Sequence, residues 1–285
     1  MQRFLAVRFL QSLAALFFIS LIAFALASLS GSPVDSLLPE DATAEHAALL
    51  IERWGLDRPL HVQHLTFVGN ALQGDFGESL KWRGYTAIGI VMERFPATLQ
   101  LGLFSIVVSV LISVPLGVLT AVKRDTAFDS AGNVVALLGQ SLPPFWIGLV
   151  LIWVFAVYLR WLPTSGYGGL AHMVVPAVAI GWFQVAAVMR LTRSSMLEVL
   201  DSEYIKLARV KGVPEWKVVW KHALRNAAIV PLTYFGVIAS SILTGQVVVE
   251  TVFAWPGTGM LAIEAIQGRD FPVVRTIVLF FATIF

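Results

Sequence analysis

Apolar residues run along this chain in blocks that charge interrupts only at wide intervals. A helix rises about 1.5 Å per residue and needs roughly 20 apolar residues to cross about 30 Å of hydrocarbon, because lipid leaves no backbone group free to pair with water. Uncharged runs of that length lie between Arg8 and Asp35, Arg94 and Lys123, Asp129 and Arg160, Arg160 and Arg190, and Arg225 and Glu250. They predict five membrane-spanning helices. A sixth apolar run opens at Phe271, carries Arg275 and reaches Phe285 with ten uncharged residues after the arginine, about half a crossing. The expected fold is therefore an all-α integral membrane protein whose sixth helix is incomplete in this sequence.

Composition agrees. The 285 residues are 57% hydrophobic and 13% charged, against about 25% charged in soluble domains. A soluble two-domain enzyme, a disordered chain and a disulfide scaffold are excluded on this ground. With no cysteine, thiolate chemistry and Cys-ligated zinc are excluded too. The net charge of +2 is too small to argue for nucleic acid.

The distribution of charge says more than its sum. Alternating the loops across five spans places twelve basic and six acidic residues on the side of the N-terminus, and eight basic and twelve acidic on the other. The positive-inside rule then makes the N-terminus and 190–225 cytoplasmic and 35–94 external. The first run follows Arg3 and Arg8 and ends near Ala25-Leu26-Ala27, as a secretory signal does, but it is longer than an h-region of 7–15 residues. It is expected to stay as an uncleaved first helix.

Two soluble segments carry pattern. Externally, Ala47, Leu50, Ile51 and Trp54 share one helical face, followed by the breaker Gly55-Leu56-Asp57-Arg58-Pro59. A second amphipathic piece runs over 61–72, and Gly74-Asp75-Phe76-Gly77 makes a turn. On the cytoplasmic side, Asp201-Ser202-Glu203 is expected to cap a helix that ends at Gly212, and Pro214 starts a second helix running to about Leu224. Lys206, Arg209, Lys211, Lys217, Lys221 and Arg225 stud the pair, beside an apolar stripe of Ile205, Ala208, Val213, Trp216, Val219 and Trp220. Such an element either lies on anionic lipid or docks into a groove on a partner; the small residues from Ala208 to Gly212 favour docking.

Chemistry is sparse. No GxxxxGK[ST] phosphate loop occurs, so the chain holds no ATP-hydrolysing site of that type. His61 and His64 have the spacing to touch one metal but lack further ligands nearby, and no metal site is expected. The uncharged runs hold no relay carboxylate for an ion-coupled carrier, and His172 reads as an interfacial histidine. Gln140, Ser141, Pro143, Gln184, Ser240 and Gln246 lie inside the runs, where they either line an aqueous path or mark helix packing.

Several motifs, in order, resemble the permease subunits of bacterial binding-protein-dependent ABC importers of the dipeptide, oligopeptide and nickel group. They are Gly55-Leu56-Asp57-Arg58-Pro59, Gly74-Asp75-Phe76-Gly77-Glu78-Ser79, Pro96-Ala97-Thr98-Leu99 and Leu142-Pro143-Pro144-Phe145-Trp146. Next come Arg190-Leu191-Thr192-Arg193-Ser194-Ser195-Met196, Ala208-Arg209-Val210-Lys211-Gly212, His222-Ala223-Leu224-Arg225-Asn226, Phe253-Ala254-Trp255-Pro256-Gly257-Thr258-Gly259 and Arg269-Asp270-Phe271-Pro272. The resemblance covers essentially the whole chain. It implies a six-helix, type I importer-like subunit of the bacterial inner membrane that pairs with a second, homologous permease. Two cytoplasmic ATPase subunits, which hold the ATP and Mg, would power the pair, an external solute-binding protein would deliver the solute, and this chain would bind no cofactor and catalyse no reaction.

The resemblance divides the chain into 1–34 (first helix), 35–97 (external amphipathic segment) and 98–285 (core), the core containing a coupling loop at 190–226 and an external loop at 251–270. Glu203, Tyr204, Ala208, Arg209, Lys211, Gly212 and Pro214 are the expected ATPase-coupling residues. Lys206 and Leu207 stand where the family's coupling motif opens with Glu-Ala, while its Ala-x-x-x-Gly spacing is kept. Members usually complete the sixth helix and end in a short basic tail, so a truncated sequence is expected. Peptides are the expected solute, with nickel complexes, glutathione or opines as alternatives; an ion-coupled secondary transporter is the rival class.

Overall fold

A computed structural model of the chain describes residues 1–29, 51, 57–244 and 246–285. The expected outer helix of Ala47, Leu50 and Trp54 thus lies, Ile51 apart, outside the described residues. Among the described residues all regular secondary structure is helical apart from one β-bridge, between Glu78 and Thr86. In chain order the helices are α1 (Gln2–Leu29), α2 (Leu60–Ala71), α3 (Ala87–Val122), α4 (Ala127–Ser141), α5 (Pro144–Tyr158), α6 (Leu170–Leu200), α7 (Glu203–Val210), α8 (Glu215–Ala227), α9 (Ile229–Leu243), α10 (Val247–Val252), α11 (Thr258–Gln267) and α12 (Phe271–Ile284).

Three of these, α1, α3 and α6, are long and apolar enough to cross a membrane alone. At 36 residues, α3 extends about 54 Å and overshoots the hydrocarbon. The third predicted span is corrected. It is not one helix but α4 and α5, meeting at 108°. The cause is Pro143-Pro144: a residue before proline avoids the helical region, and Leu142 and Pro143 accordingly take ψ of 132° and 141°. Pro144, which has no N–H to lose, then opens α5 at its first turn. The fifth run is also modified, since α9 joins α8 at a 49° bend.

The chain divides into two compact units, 1–96 with 257–285, and 97–256. In the first, Ala87, Ile90 and Val91 pack with Leu261, Ala265, Val273 and Ile277. Asp270 knits this unit's turns. Its buried carboxylate accepts hydrogen bonds from Ser79 Oγ, from the Leu80 and Lys81 amides at 3.1 and 3.0 Å, and from the Val273 amide at 3.3 Å. The predicted turn is present, with Gly74 and Gly77 both at φ 85°.

In the second unit, Leu101, Ala177, Ile180, Phe253 and Trp255 form one core, and Trp255 Nε1 donates to the Ala97 carbonyl at 2.9 Å. Lipid tails are as apolar as leucine, so membrane helices associate through close packing of small residues. Buried Ser105, Ser109, Ser113 and Gly117 recur every fourth position along α3 and meet α6: a Cβ on Gly181 would stand 2.6 Å from Ser109 Oγ, and one on Gly117 2.7 Å from the Met189 carbonyl. Ser105 and Ser109 satisfy their hydroxyls by donating to the carbonyls four residues back, both at 2.7 Å, which lets polar groups sit in an apolar seam.

Candidate functional site

Residues 203–227 fold as the predicted helix–turn–helix. α7 ends in a Schellman turn: the Val213 amide bonds the Ala208 carbonyl at 3.2 Å and the Gly212 amide bonds the Arg209 carbonyl at 2.9 Å. That turn requires Gly212 at φ 75°, a conformation side chains resist. At the start of α7, Ser202 is the N-cap residue, but its hydroxyl donates back to the Val199 carbonyl at 2.5 Å and caps nothing.

Beneath the turn, Ile205, Val218, Val219 and Ala223 are buried against Val118 and Ala121 of α3 and Met196 of α6. The helix pair is therefore seated on the long helices of its own unit. The predicted apolar stripe does not hold as one face. Ile205 and Val219 are buried, Ala208 and Val213 half-buried, and Trp216 and Trp220 exposed. The second helix also continues past the expected end near Leu224, to Ala227, and Val218–Ala223 within it is a π-helix, whose wider turn shifts the side chains downstream of it.

The predicted coupling residues Glu203, Tyr204, Arg209, Lys211, Gly212 and Pro214 are exposed, and Ala208 is half-buried. Arg209 and Glu215 clasp across the turn at 2.8 and 3.2 Å, and Asn226 Nδ2 donates to the Tyr204 hydroxyl at 2.7 Å. Those hydrogen-bonded carboxylates hold the Arg209 guanidinium, and likewise Lys206 beside Glu203, above their ordinary values. Solvent screens exposed pairs of this kind, so they orient the apex more than they stabilise it. At its tip Val210 is 85% and Trp216 63% exposed. These exposed apolar side chains lie in a segment that also carries Arg209, Lys211 and Lys217.

The six candidate path residues all belong to the second unit and are dispersed in it. Gln140, Ser141 and Pro143 flank the α4–α5 break, Gln184 is mid-α6, and Ser240 and Gln246 lie near the end of α9. Among the described residues, no hydrogen bond joins any two of them. Ser141 and Ser240 bond carbonyls of their own helices, Gln246 bonds the Ser241 carbonyl at 3.4 Å, and Gln184 Oε1 is buried without a partner. His61 and His64 are likewise separated. His61 is exposed, while His64 is buried with its Nε2 3.1 Å from Ser20 Oγ.

Two polar contacts escaped the sequence reading. Arg193 of α6 grips Asp129 at the start of α4 with both forks, and buried Glu250 accepts from Thr98 Oγ1 at 2.9 Å. Both carboxylates served in the sequence only as ends of uncharged runs. Thr126-x-x-Asp129 was the one local signal, since Thr126 caps α4 with a bond from the Asp129 amide at 3.4 Å.

Comparison with known proteins gives this geometry its context. Residues 113–285 match the family described as binding-protein-dependent transport system inner membrane component. The oligopeptide transport system permease protein AppB of Bacillus subtilis is 35% identical over 288 residues, covering 97% of this chain and 91% of that protein. The di/tripeptide transport system permease protein DppB of Pseudomonas aeruginosa is 38% identical over 317 residues, covering 100% and 93%. The glutathione transport system permease protein GsiC of Salmonella typhi is 39% identical over 254 residues, covering 89% and 83%. The chain belongs to the binding-protein-dependent transport inner membrane family, as a permease subunit of an ABC importer that has no catalytic activity of its own.

Proposed function

We propose that this permease carries di- or oligopeptides across the bacterial inner membrane by alternating access. The observation that carries the reading is the exposed apex around Gly212, held rigid by its Schellman turn and founded on α3 and α6. Glu203, Tyr204, Ala208, Arg209, Lys211, Gly212 and Pro214 present that apex to a cytoplasmic ATPase, so a push on the turn moves the long helices. A second homologous permease completes the pathway, two ATPase subunits supply ATP and Mg, and an external solute-binding protein delivers the cargo. The N-terminus is cytoplasmic, as the excess of Lys and Arg on its side supports.

Gln140, Ser141, Pro143, Gln184, Ser240 and Gln246 are the polar groups available to a hydrated path. The α4–α5 bend, which frees backbone carbonyls, supports placing part of that path there. Peptides are preferred because relatives matching nearly the whole chain are named for peptide transport. Glutathione, itself a small peptide, is the second reading, from the similarity to GsiC.

The test is reconstitution of the full complex in liposomes with its solute-binding protein. Dipeptide should stimulate ATP hydrolysis and accumulate inside, and Gly212→Trp should abolish the stimulation while leaving assembly intact. Stimulation unchanged by that substitution removes the coupling assignment; uptake that survives ATP depletion and collapses with the proton gradient removes the ATP-driven mechanism.

A further inference from the structure

Three helices of the first unit converge on one cation. The Arg275 guanidinium of α12 lies 4.7 Å from the ring centroid of Phe24 in α1 and 5.4 Å from that of Phe67 in α2. His64 meets the same Phe24 ring edge-on at 5.4 Å. Among the described residues no carboxylate pairs with Arg275; the ion pairs are Arg124–Asp125, Arg193–Asp129, Lys206–Glu203 and Arg209–Glu215. Its Nε is buried and, among the described residues, has no partner, while the residue as a whole is half-buried.

Aromatic faces attract a guanidinium but supply neither a counter-charge nor an acceptor oxygen. A cation in an apolar helix cluster is costly until an anion reaches it, and arginine's planar fork suits phosphate. The surroundings say which anion is at hand. Arg275 lies five residues past Asp270, about 7 Å down the axis from the start of α12, within the range over which arginine snorkels to the headgroup layer. On α1, Phe18, Ile22 and Leu26 form an exposed apolar face, as a lipid-facing helix does. We propose that Arg275, caged by Phe24 and Phe67, binds the phosphate of a membrane phospholipid, which thereby joins α1, α2 and α12.

The experiment uses the full transporter complex in nanodiscs, with its arginines labelled by ¹³C and ¹⁵N. Carbon–phosphorus dipolar dephasing is measured at the guanidinium signal that Arg275→Lys removes. In phosphatidylglycerol that signal should dephase, and in a phosphorus-free galactolipid it should not. Dephasing restored in galactolipid by inorganic phosphate alone, to the full phospholipid value, assigns the site to a free anion and overturns the lipid proposal. No dephasing in phosphatidylglycerol also overturns it and points to a carboxylate of a partner chain. As a second readout, native mass spectrometry should find phospholipid retention reduced about five-fold in Arg275→Gln, and less in Arg275→Lys, which keeps the charge. Equal retention in all three proteins contradicts the proposal.

Discussion

Arg193 and Asp129 meet side by side: Nε to Oδ1 and Nη2 to Oδ2, both at 2.6 Å, across 64 residues of sequence. Asp129 also accepts from Asn133 Nδ2 at 3.0 Å and from the Asp125 amide at 3.2 Å. The carboxylate is thus fully engaged, with 6% of its side chain exposed against 23% for the arginine. Asp129→Asn leaves a half-buried guanidinium facing a neutral amide and should cost about 2 kcal/mol, below the value for a fully buried pair because solvent still reaches the arginine. Arg193→Lys should cost less, since it keeps the charge and loses the fork. Denaturation of the purified protein, run as a double-mutant cycle, checks this; strictly additive losses would mean that the pair contributes no coupling.

The packing of α3 on α6 is testable with one methyl group. A Cβ on Gly117 would stand 2.6 Å from Thr192 Cβ and 2.7 Å from the Met189 carbonyl, whereas one on Gly236 meets nothing within 4 Å. Gly117→Ala should therefore destabilise by about 1–3 kcal/mol. Gly236→Ala, inside α9, should be neutral or stabilise by up to about 1 kcal/mol. Thermal unfolding in detergent separates the two, and equal shifts would refute the close approach.

Gly212 has open space around it, so Gly212→Ala isolates the cost of its backbone conformation. About 1 kcal/mol of strain is expected at the turn. Hydrogen exchange should rise at the Val213 amide, which closes the Schellman turn, while α3 and α6 stay protected. Unchanged exchange there would show that the turn does not depend on glycine.

Asp270→Asn keeps the shape of the side chain but turns an acceptor-only group into one that must aim an amide at donors. With Ser79 and three backbone amides around it, about 2–3 kcal/mol should be lost. The segment 74–85 should become accessible to protease before the helices do. Cleavage at the wild-type rate would remove Asp270 from that role.

Sequence reading succeeded where the determinants are local. Amphipathic patterning located the helix predicted over 61–72 within a residue of Leu60–Ala71, and Gly212-Val213-Pro214 located the turn after Val210. It failed where two distant residues decide. Nothing near Asp129 announces Arg193, and nothing in His61-x-x-His64 says that the second histidine turns toward Ser20. The α4–α5 bend was written in Pro143-Pro144, but the length of the uncharged run around it argued for a straight crossing. A count of apolar residues does not weigh two successive backbone constraints.

The π-helix at Val218–Ala223 carries a genetic consequence. A π turn amounts to one residue inserted into an α-helix, and one residue of α-helix is about 100° of rotation. Deleting a single codon within 218–223 should therefore let α8 continue as a regular helix while turning the apex, with Trp216 and Arg209, about a quarter-circle about its axis. Side-chain chemistry at the tip would be retained and only its bearing changed, so such a deletion separates the direction of the apex from its composition.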